Sequence, residues 1–268
     1  MSRVEAFYNE FSPKFVEDFV HGNERVTRQL SFFAEAIPAE TRRVLVIGCG
    51  SGQGAHHIAT RIATRAKVLG VDISESNLQL AQALFSHERV EYRRMDVTRE
   101  TPDGEWDVIV LPDVYEHIPR EAHGSLQARL DQLLSPQGKI LFTLPSPGYQ
   151  KHLHATSSPA LQVVDEIITL EDLVQFAERV RGTLSYFRLI SIWLTNDYLH
   201  AMIERGAEEM REIGPGDILP VKGLPPRNLA TRGRDFLLHR LRLKHLPPFW
   251  RERQARKRLA GSLRARTE

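Results

Sequence analysis

A single cysteine, Cys49, is all the thiol chemistry that 268 residues offer. It can neither close an internal disulfide nor supply a cysteine-rich zinc site, which excludes a secreted disulfide scaffold and a zinc module. No apolar run approaches the roughly 20 residues that a membrane-spanning helix needs. The opening residues, MSRVEAFYNEF, carry charges where a signal peptide requires an apolar stretch, so a cytoplasmic protein is expected. The phosphate-loop pattern ending in Gly-Lys-Ser/Thr is missing, and no lysine lies near the glycine cluster.

What is present is an ordinary globular composition, 41% hydrophobic and 26% charged, in a chain long enough for one large domain or a domain with an appendage. The net charge of +2 hides a split. From Arg232 onward twelve Lys/Arg face three acids, a local +9 against −7 over the preceding 231 residues. The body and the tail are different kinds of sequence.

The body alternates short aliphatic runs with helical spacing, the pattern of a parallel sheet covered on both faces. Strands are expected at 43–48, 67–72, 90–96, 106–112 and 139–145, with helices over 54–65, 76–87 and 123–134. Ser74 or Ser76 is a ready N-cap for the second of these helices. An irregular stretch after residue 145 should lead to a helix over 170–181. Two further β-rich runs, 184–194 and 196–206, are close enough to pair antiparallel. Residues 5–37 hold seven aromatic side chains at helical spacing, fitting either a packed helical layer or a lid over a cleft. Residues 1–205 are therefore expected as one domain, with 1–40 as a helical lid. Residues 206–268 are expected as a Pro/Gly linker and a basic helical extension.

The run VLVIGCGSG, residues 44–52, passes from a strand straight into glycines and then a helix. That arrangement aims backbone N–H groups and a positive helix end at the sheet's C-terminal edge. Asp72 ends the next strand, twenty residues after Gly52, where a carboxylate can accept from ribose hydroxyls. The residues thus point to a nucleoside with a ribose diol. A dinucleotide fingerprint is met only weakly, from Gly50 through Gly52 to Ala55, so a nicotinamide oxidoreductase stands as a rival reading.

The ordered set that follows is more specific. VLVIGCGSG, VLGVDIS, RRMDVT, VIVLPDVYEHI and LLSPQGKILFTLP together resemble the motifs of the class I S-adenosylmethionine-dependent methyltransferases, over roughly residues 40–205. The resemblance implies a doubly wound α/β sheet of seven mostly parallel strands, Rossmann-like, with the last hairpin antiparallel. It implies S-adenosylmethionine as cofactor, with Gly48, Gly50 and Gly52 beneath its methionine and ribose and Asp72 on the ribose hydroxyls. Ile73 would pack on the adenine, Asp96 and the backbone of Val97 would meet its amino group, and Leu111 and Pro112 would line the methionine end. One position departs: the family's acid two residues before the first glycine is Val46 here, so another group must meet the cofactor's ammonium. A scaffold that has lost its reaction is the reading that this departure favours.

Methyl transfer to a hydroxyl needs in-line placement and a base. Histidine suits the second task near neutral pH. His117 lies just past the fourth strand, and in related sugar-modifying enzymes a histidine there and a tyrosine of the N-terminal segment approach the acceptor, which here are His117 and Tyr8. His154, in YQKHLH, is a further candidate on a loop. A metal held by Asp113, Glu116, His117 and His154 ranks low, and none is expected. The SIW…NDY element near 191–198 resembles methyltransferases associated with bacterial glycan building. That favours O-methylation of a sugar or glycan intermediate, with a quinone or other small-molecule acceptor as the alternative. The basic tail suits an anionic membrane surface, its own domain or a second subunit in a homodimer. Nucleic acid is not favoured, because LPDVYEH stands where base methyltransferases carry an Asn/Asp-Pro-Pro-Tyr motif.

Overall fold

The computed structural model describes residues 3–207. The basic extension expected beyond residue 207 lies outside the described residues. Two helices, α1 (Arg3–His21) and α2 (Glu24–Ala36), precede a seven-stranded sheet. The sheet contains β1 (Arg43–Ile47), β2 (Lys67–Asp72), β3 (Val90–Arg94), β4 (Trp106–Pro112), β5 (Leu134–Pro145), β6 (Thr183–Ile190) and β7 (Tyr198–Glu204). Their spatial order is β3-β2-β1-β4-β5-β7-β6. Strands β1 to β5 pair in parallel, and β7 pairs antiparallel with both β5 and β6. The doubly wound α/β architecture expected from the sequence is present.

Alternation along the central strands explains why the sheet is covered on both faces. Leu45 and Ile47 of β1, with Ile109 and Leu111 of β4, enter the cluster under α5 (Arg120–Leu133) and α7 (Leu170–Arg179). Val44, Val46, Val108 and Val110 point the other way, against Phe32 and Phe33 of α2 and the buried faces of α3 (Gln53–His57) and α4 (Glu75–Phe85). Full burial of a side chain such as Phe33 contributes roughly 1.5–3 kcal/mol.

Several local expectations change. The helix read over 54–65 is a short α-turn followed by a π-helix, Ile58–Ile62, in which the Ala63 N–H reaches back to the Ile58 carbonyl. The wider turn puts Ile58, Ala59 and Ala63 all in the core. Strand β5 begins at Leu134 rather than 139, with a register shift opposite Trp106 and Val108. The stretch after β5 is not wholly irregular, because Pro147–Ala155 forms a helix, α6. Ser146 caps it by accepting from the Tyr149 N–H, and Pro147 stands at its first turn, a Ser-Pro start signal visible in the sequence. Thr169 and Asp172 form the capping box that starts α7.

Candidate active site

The turns after β1, β2 and β4 meet at one edge of the sheet. Gly48, Gly50 and Gly52 have φ of +69°, +52° and +85°, a left-handed region that favours glycine. A Cβ on Gly48 would lie 2.6 Å from Val114 Cγ2, and one on Gly52 would lie 2.5 Å from the Tyr92 hydroxyl. The loop is therefore a cradle with bare backbone on its inner side. Asp72 braces it: one carboxylate oxygen accepts from the Gly50 N–H at 2.8 Å, and the other from Ser74 N–H at 2.9 Å and Asn77 Nδ2 at 3.3 Å. Burial raises the Asp72 pKa, and these hydrogen bonds oppose the rise. The bracing role adds to the ribose-binding role expected for this carboxylate.

Helix α1 crosses this edge. Phe15 would stand 3.0 Å from a Cβ on Gly50, and Asn9 Oδ1 accepts from Ser74 Oγ at 2.8 Å. Tyr8 donates its hydroxyl to Gln162 Oε1 at 2.7 Å, and its ring lies 6.3 Å from that of His117. Burial, followed by the nearby charges of Glu116, Asp72 and Asp165, pushes the Tyr8 phenol far above its ordinary pKa. Tyr8 is consequently held as a neutral hydroxyl that donates to Gln162.

The remaining cofactor candidates are distributed around the same edge. Ile73 is half-buried beside Asp72. Asp96 accepts from the N–H and hydroxyl of Thr98, and Val97 packs against the core. Pro112 ends β4 half-exposed, whereas the Leu111 side chain is fully buried in the core, which corrects the expectation that it lines the cleft. The reason is strand parity, since Leu111 faces the α5 side with Ile109.

Val46 is 1% exposed and packed with Phe32 and Phe33, so the family's acid would here be buried in an apolar layer. An acid does stand on the turn after β4, the strand beside β1. Asp113, at φ +51°, pairs with Arg25 of α2, and its carboxylate also accepts from Gln29 Nε2 at 3.2 Å. Gln29 in turn donates to Thr143 Oγ1 at 2.7 Å. Arg25, Gln29 and, at 3.5 Å, the Thr143 hydroxyl hold the Asp113 carboxylate at this positive φ, which Asp tolerates better than most residues.

Beyond Asp113 lies a second cluster, of which sequence reasoning named His117 as a catalytic candidate and Glu116 only as a member of a metal set. The His117 Nδ1–H donates to the Val164 carbonyl at 2.8 Å and lies 3.2 Å from Asp165 Oδ1. Its Nε2 lies 3.7 Å from Glu116 Oε1. Burial disfavours the charged ring, but Glu116 and Asp165 outweigh it, so the His117 pKa is raised. Glu116 is 1% exposed, and neither of its carboxylate oxygens has a hydrogen-bond partner on another residue. Asp165 and Gln150 complete the cluster; no motif announced them, because both come from the segment after β5 that folds back over the sheet edge.

His154 is not part of this cluster. It is exposed on α6, and its Nε2–H donates to the Asp165 carbonyl at 2.9 Å, which corrects the catalytic expectation for it. Nor do Asp113, Glu116, His117 and His154 converge, because Asp113 is engaged by Arg25 and His154 faces outward. Among the described residues no group of three or more His, Cys, Asp or Glu side chains is placed to hold a metal ion. Asp197 of the SIW…NDY element accepts from the N–H groups of Ile192, Trp193 and Leu194, so this element caps the β6–β7 turn.

A pocket of about 540 Å³ opens between α6, the start of α7 and the β6–β7 turn. Tyr149, Leu170, Phe187, Leu189 and Leu194 line it, and Leu170, Leu189 and Leu194 are exposed there. Tyr149 of the pocket lies 6.5 Å, ring to ring, from Tyr198 of β7.

Comparison with known proteins agrees with this geometry. A family model described as a methyltransferase domain matches residues 44–138. A ubiquinone biosynthesis O-methyltransferase of Nitrosococcus oceani is 38% identical over 108 residues, covering 38% of this chain and 43% of that protein. One from Dechloromonas aromatica is 28% identical over 166 residues, covering 60% and 64%. The chain therefore spans less than two thirds of the length of these relatives. The solved DhpI–SAH complex superimposes with a TM-score of 0.58 at 16% identity, covering 76% of this chain and 96% of that one, a likeness of fold. The glycine cradle, the braced Asp72 and the central strands of the seven-stranded sheet thus fall within residues 44–138, the part of the chain that is similar to a methyltransferase domain.

Proposed function

We propose that this protein is an S-adenosylmethionine-dependent O-methyltransferase whose acceptor is an apolar small molecule bearing a hydroxyl, of the quinone type. The sugar or glycan acceptor expected from the SIW…NDY element gives way to the alternative. Asp197 of that element is occupied with backbone N–H groups, and the relatives bear the name ubiquinone biosynthesis O-methyltransferase. The observation that carries the acceptor class is the apolar pocket beside Tyr149, whose leucines and Phe187 offer a polyhydroxylated ligand few partners.

The residues fit the cofactor. Gly48, Gly50 and Gly52 would hold its methionine and ribose, Asp72 the ribose hydroxyls, Ile73 the adenine, and Asp96 with Val97 the adenine amino group. Asp113 would meet the ammonium in place of the acid missing at Val46, and Arg25, its present partner, would take the carboxylate. When bound, S-adenosylmethionine supplies an already activated methyl group. What the chain must add is alignment of the acceptor, exclusion of water and a place for the acceptor's proton. Helix α1, with Tyr8 and Phe15 over the edge, serves the first two. The Glu116–His117–Asp165 cluster serves the third.

Calorimetric titration with S-adenosylhomocysteine, with NADH as control, tests the cofactor. Binding of the first alone is expected, and binding of NADH alone overturns the reading. Transfer of labelled methyl to a 1,2-dihydroxybenzene but not to a hexose is expected; the reverse preference restores the sugar acceptor.

A further inference from the structure

The buried carboxylate of Glu116 finds no hydrogen-bond donor on any other residue. A buried acceptor left unpaired costs roughly 1–3 kcal/mol, and more when charged. Both its oxygens lack a partner on another residue while Glu116 is 1% exposed, yet Gln150 Oε1, also buried and unpartnered, belongs to the same cluster. His117 does not discharge the debt, because its Nε2 stays 3.7 Å away.

The other side of His117 fixes its protonation. A carbonyl can only accept, so the 2.8 Å contact to Val164 requires a proton on Nδ1. Asp165 at 3.2 Å on that same nitrogen and Glu116 facing the other put the ring between two carboxylates. Such a ring is best placed as an imidazolium with both nitrogens protonated, and an imidazolium cannot take a proton from an acceptor. The groups that face this pair from the surrounding elements are Tyr8 of α1, Arg25 of α2, Asp165 and Tyr198 of β7. Among these Tyr8 is a neutral donor, and Asp165 is occupied by His117, the Gln162 N–H and Gln150.

We infer that Glu116 is the group that receives the acceptor's proton, with His117 a positioning imidazolium and Asp165 its holder. This rests on the methyltransferase reading and deepens it. As the acceptor oxygen forms its bond to the methyl carbon, the O–H bond breaks and its proton passes to a Glu116 oxygen. The electron pair of the breaking carbon–sulfur bond stays on sulfur. A positive sulfonium and a negative carboxylate become a neutral thioether and a neutral carboxylic acid, so charge balances without a further co-reactant. Tyr8 of α1 packs on this cluster, its ring 6.3 Å from that of His117 and its hydroxyl on Gln162. Burial raises the Glu116 pKa, which brings the carboxyl closer to that of a useful base.

The test combines nitrogen NMR of His117 with turnover of 1,2-dihydroxybenzene in the full chain. His117 of the wild type should be doubly protonated at pH 7.5, and Glu116→Gln should lower its pKa. The same variant should lose about 10²–10⁴-fold in kcat, with S-adenosylhomocysteine affinity unchanged. Asp165→Asn should also lower the His117 pKa, with a smaller loss in kcat. A neutral His117 in the wild type, an unmoved His117 pKa in Glu116→Gln, or wild-type turnover by that variant overturns the assignment. Failure of the wild type to bind S-adenosylhomocysteine would instead sink the methyltransferase reading. The His117 spectrum would still decide its pairing with Glu116.

Discussion

Asp72 and Gly50, twenty-two residues apart, are joined by a 2.8 Å hydrogen bond from the glycine N–H to a carboxylate oxygen. Through this bond the end of β2 sets the shape of the loop that follows β1. Asp72→Asn offers an amide nitrogen where one backbone N–H now finds an oxygen, leaving a buried donor without a partner. A loss of roughly 1–3 kcal/mol in stability is expected, together with weaker S-adenosylhomocysteine binding. Urea titration and calorimetry on one preparation check it; unchanged values in both would mean that the bond does not shape the loop.

Gly52→Ala tests the cradle more sharply. The new Cβ would lie 2.5 Å from the Tyr92 hydroxyl and 2.8 Å from Ala81 Cβ, at a φ of +85°. Strain of this kind costs on the order of 1–3 kcal/mol, so thermal denaturation should shift down and cofactor affinity should fall. A fully stable variant with wild-type affinity would contradict the geometry.

Restoring the family's acid should fail. Val46→Asp places a carboxyl among Phe32 and Phe33, where an unpaired charge is strongly disfavoured and the group must protonate or disrupt the layer. Loss of several kcal/mol is expected, with no gain in cofactor affinity. Asp113→Asn keeps a residue type tolerant of positive φ and removes the charge. It should weaken S-adenosylhomocysteine binding about tenfold, roughly 1.4 kcal/mol. If Asn binds as well as Asp, the ammonium is met elsewhere.

His200 gives the fold a pH dependence of known sign. Burial, with Arg188 and Arg28 nearby, lowers its pKa from 6.5 to about 4, and its ring stacks on Phe32 at 4.6 Å. The folded-state pKa lies below the unfolded one, so between those two values the unfolded chain binds more protons. Stability is therefore complete above about pH 6.5 and falls as pH drops toward 4, by at most about 3 kcal/mol for this group. His200→Phe retains a ring on Phe32 and removes the proton. The difference in stability between wild type and variant should change across that window; a constant difference from pH 4 to 7 would refute the assignment.

The sheet and the glycine-turn edge were legible because both are written locally. β-Branched runs, crowded glycines and an acid ending the next strand each follow from what nearby residues can adopt. The same logic placed β6 and β7 antiparallel. It missed α6, although Ser146 and Pro147 carried a capping signal, because apolar spacing there is weak.

The acceptor side was not local. Glu116 and His117 are consecutive in sequence, but Asp165, Gln162 and Gln150 arrive from the segment after β5, and Tyr8 from α1. No spacing rule links residues 8, 116 and 165. By itself the sequence determined the glycine turn at which a nucleoside-bearing ligand is proposed to sit, since backbone conformation at a glycine turn depends on the turn's own residues. Only the tertiary structure decided which side chains lose their water and which charges then face one another. Those two conditions, not residue type, are the grounds for proposing Glu116 rather than His117 as the proton acceptor.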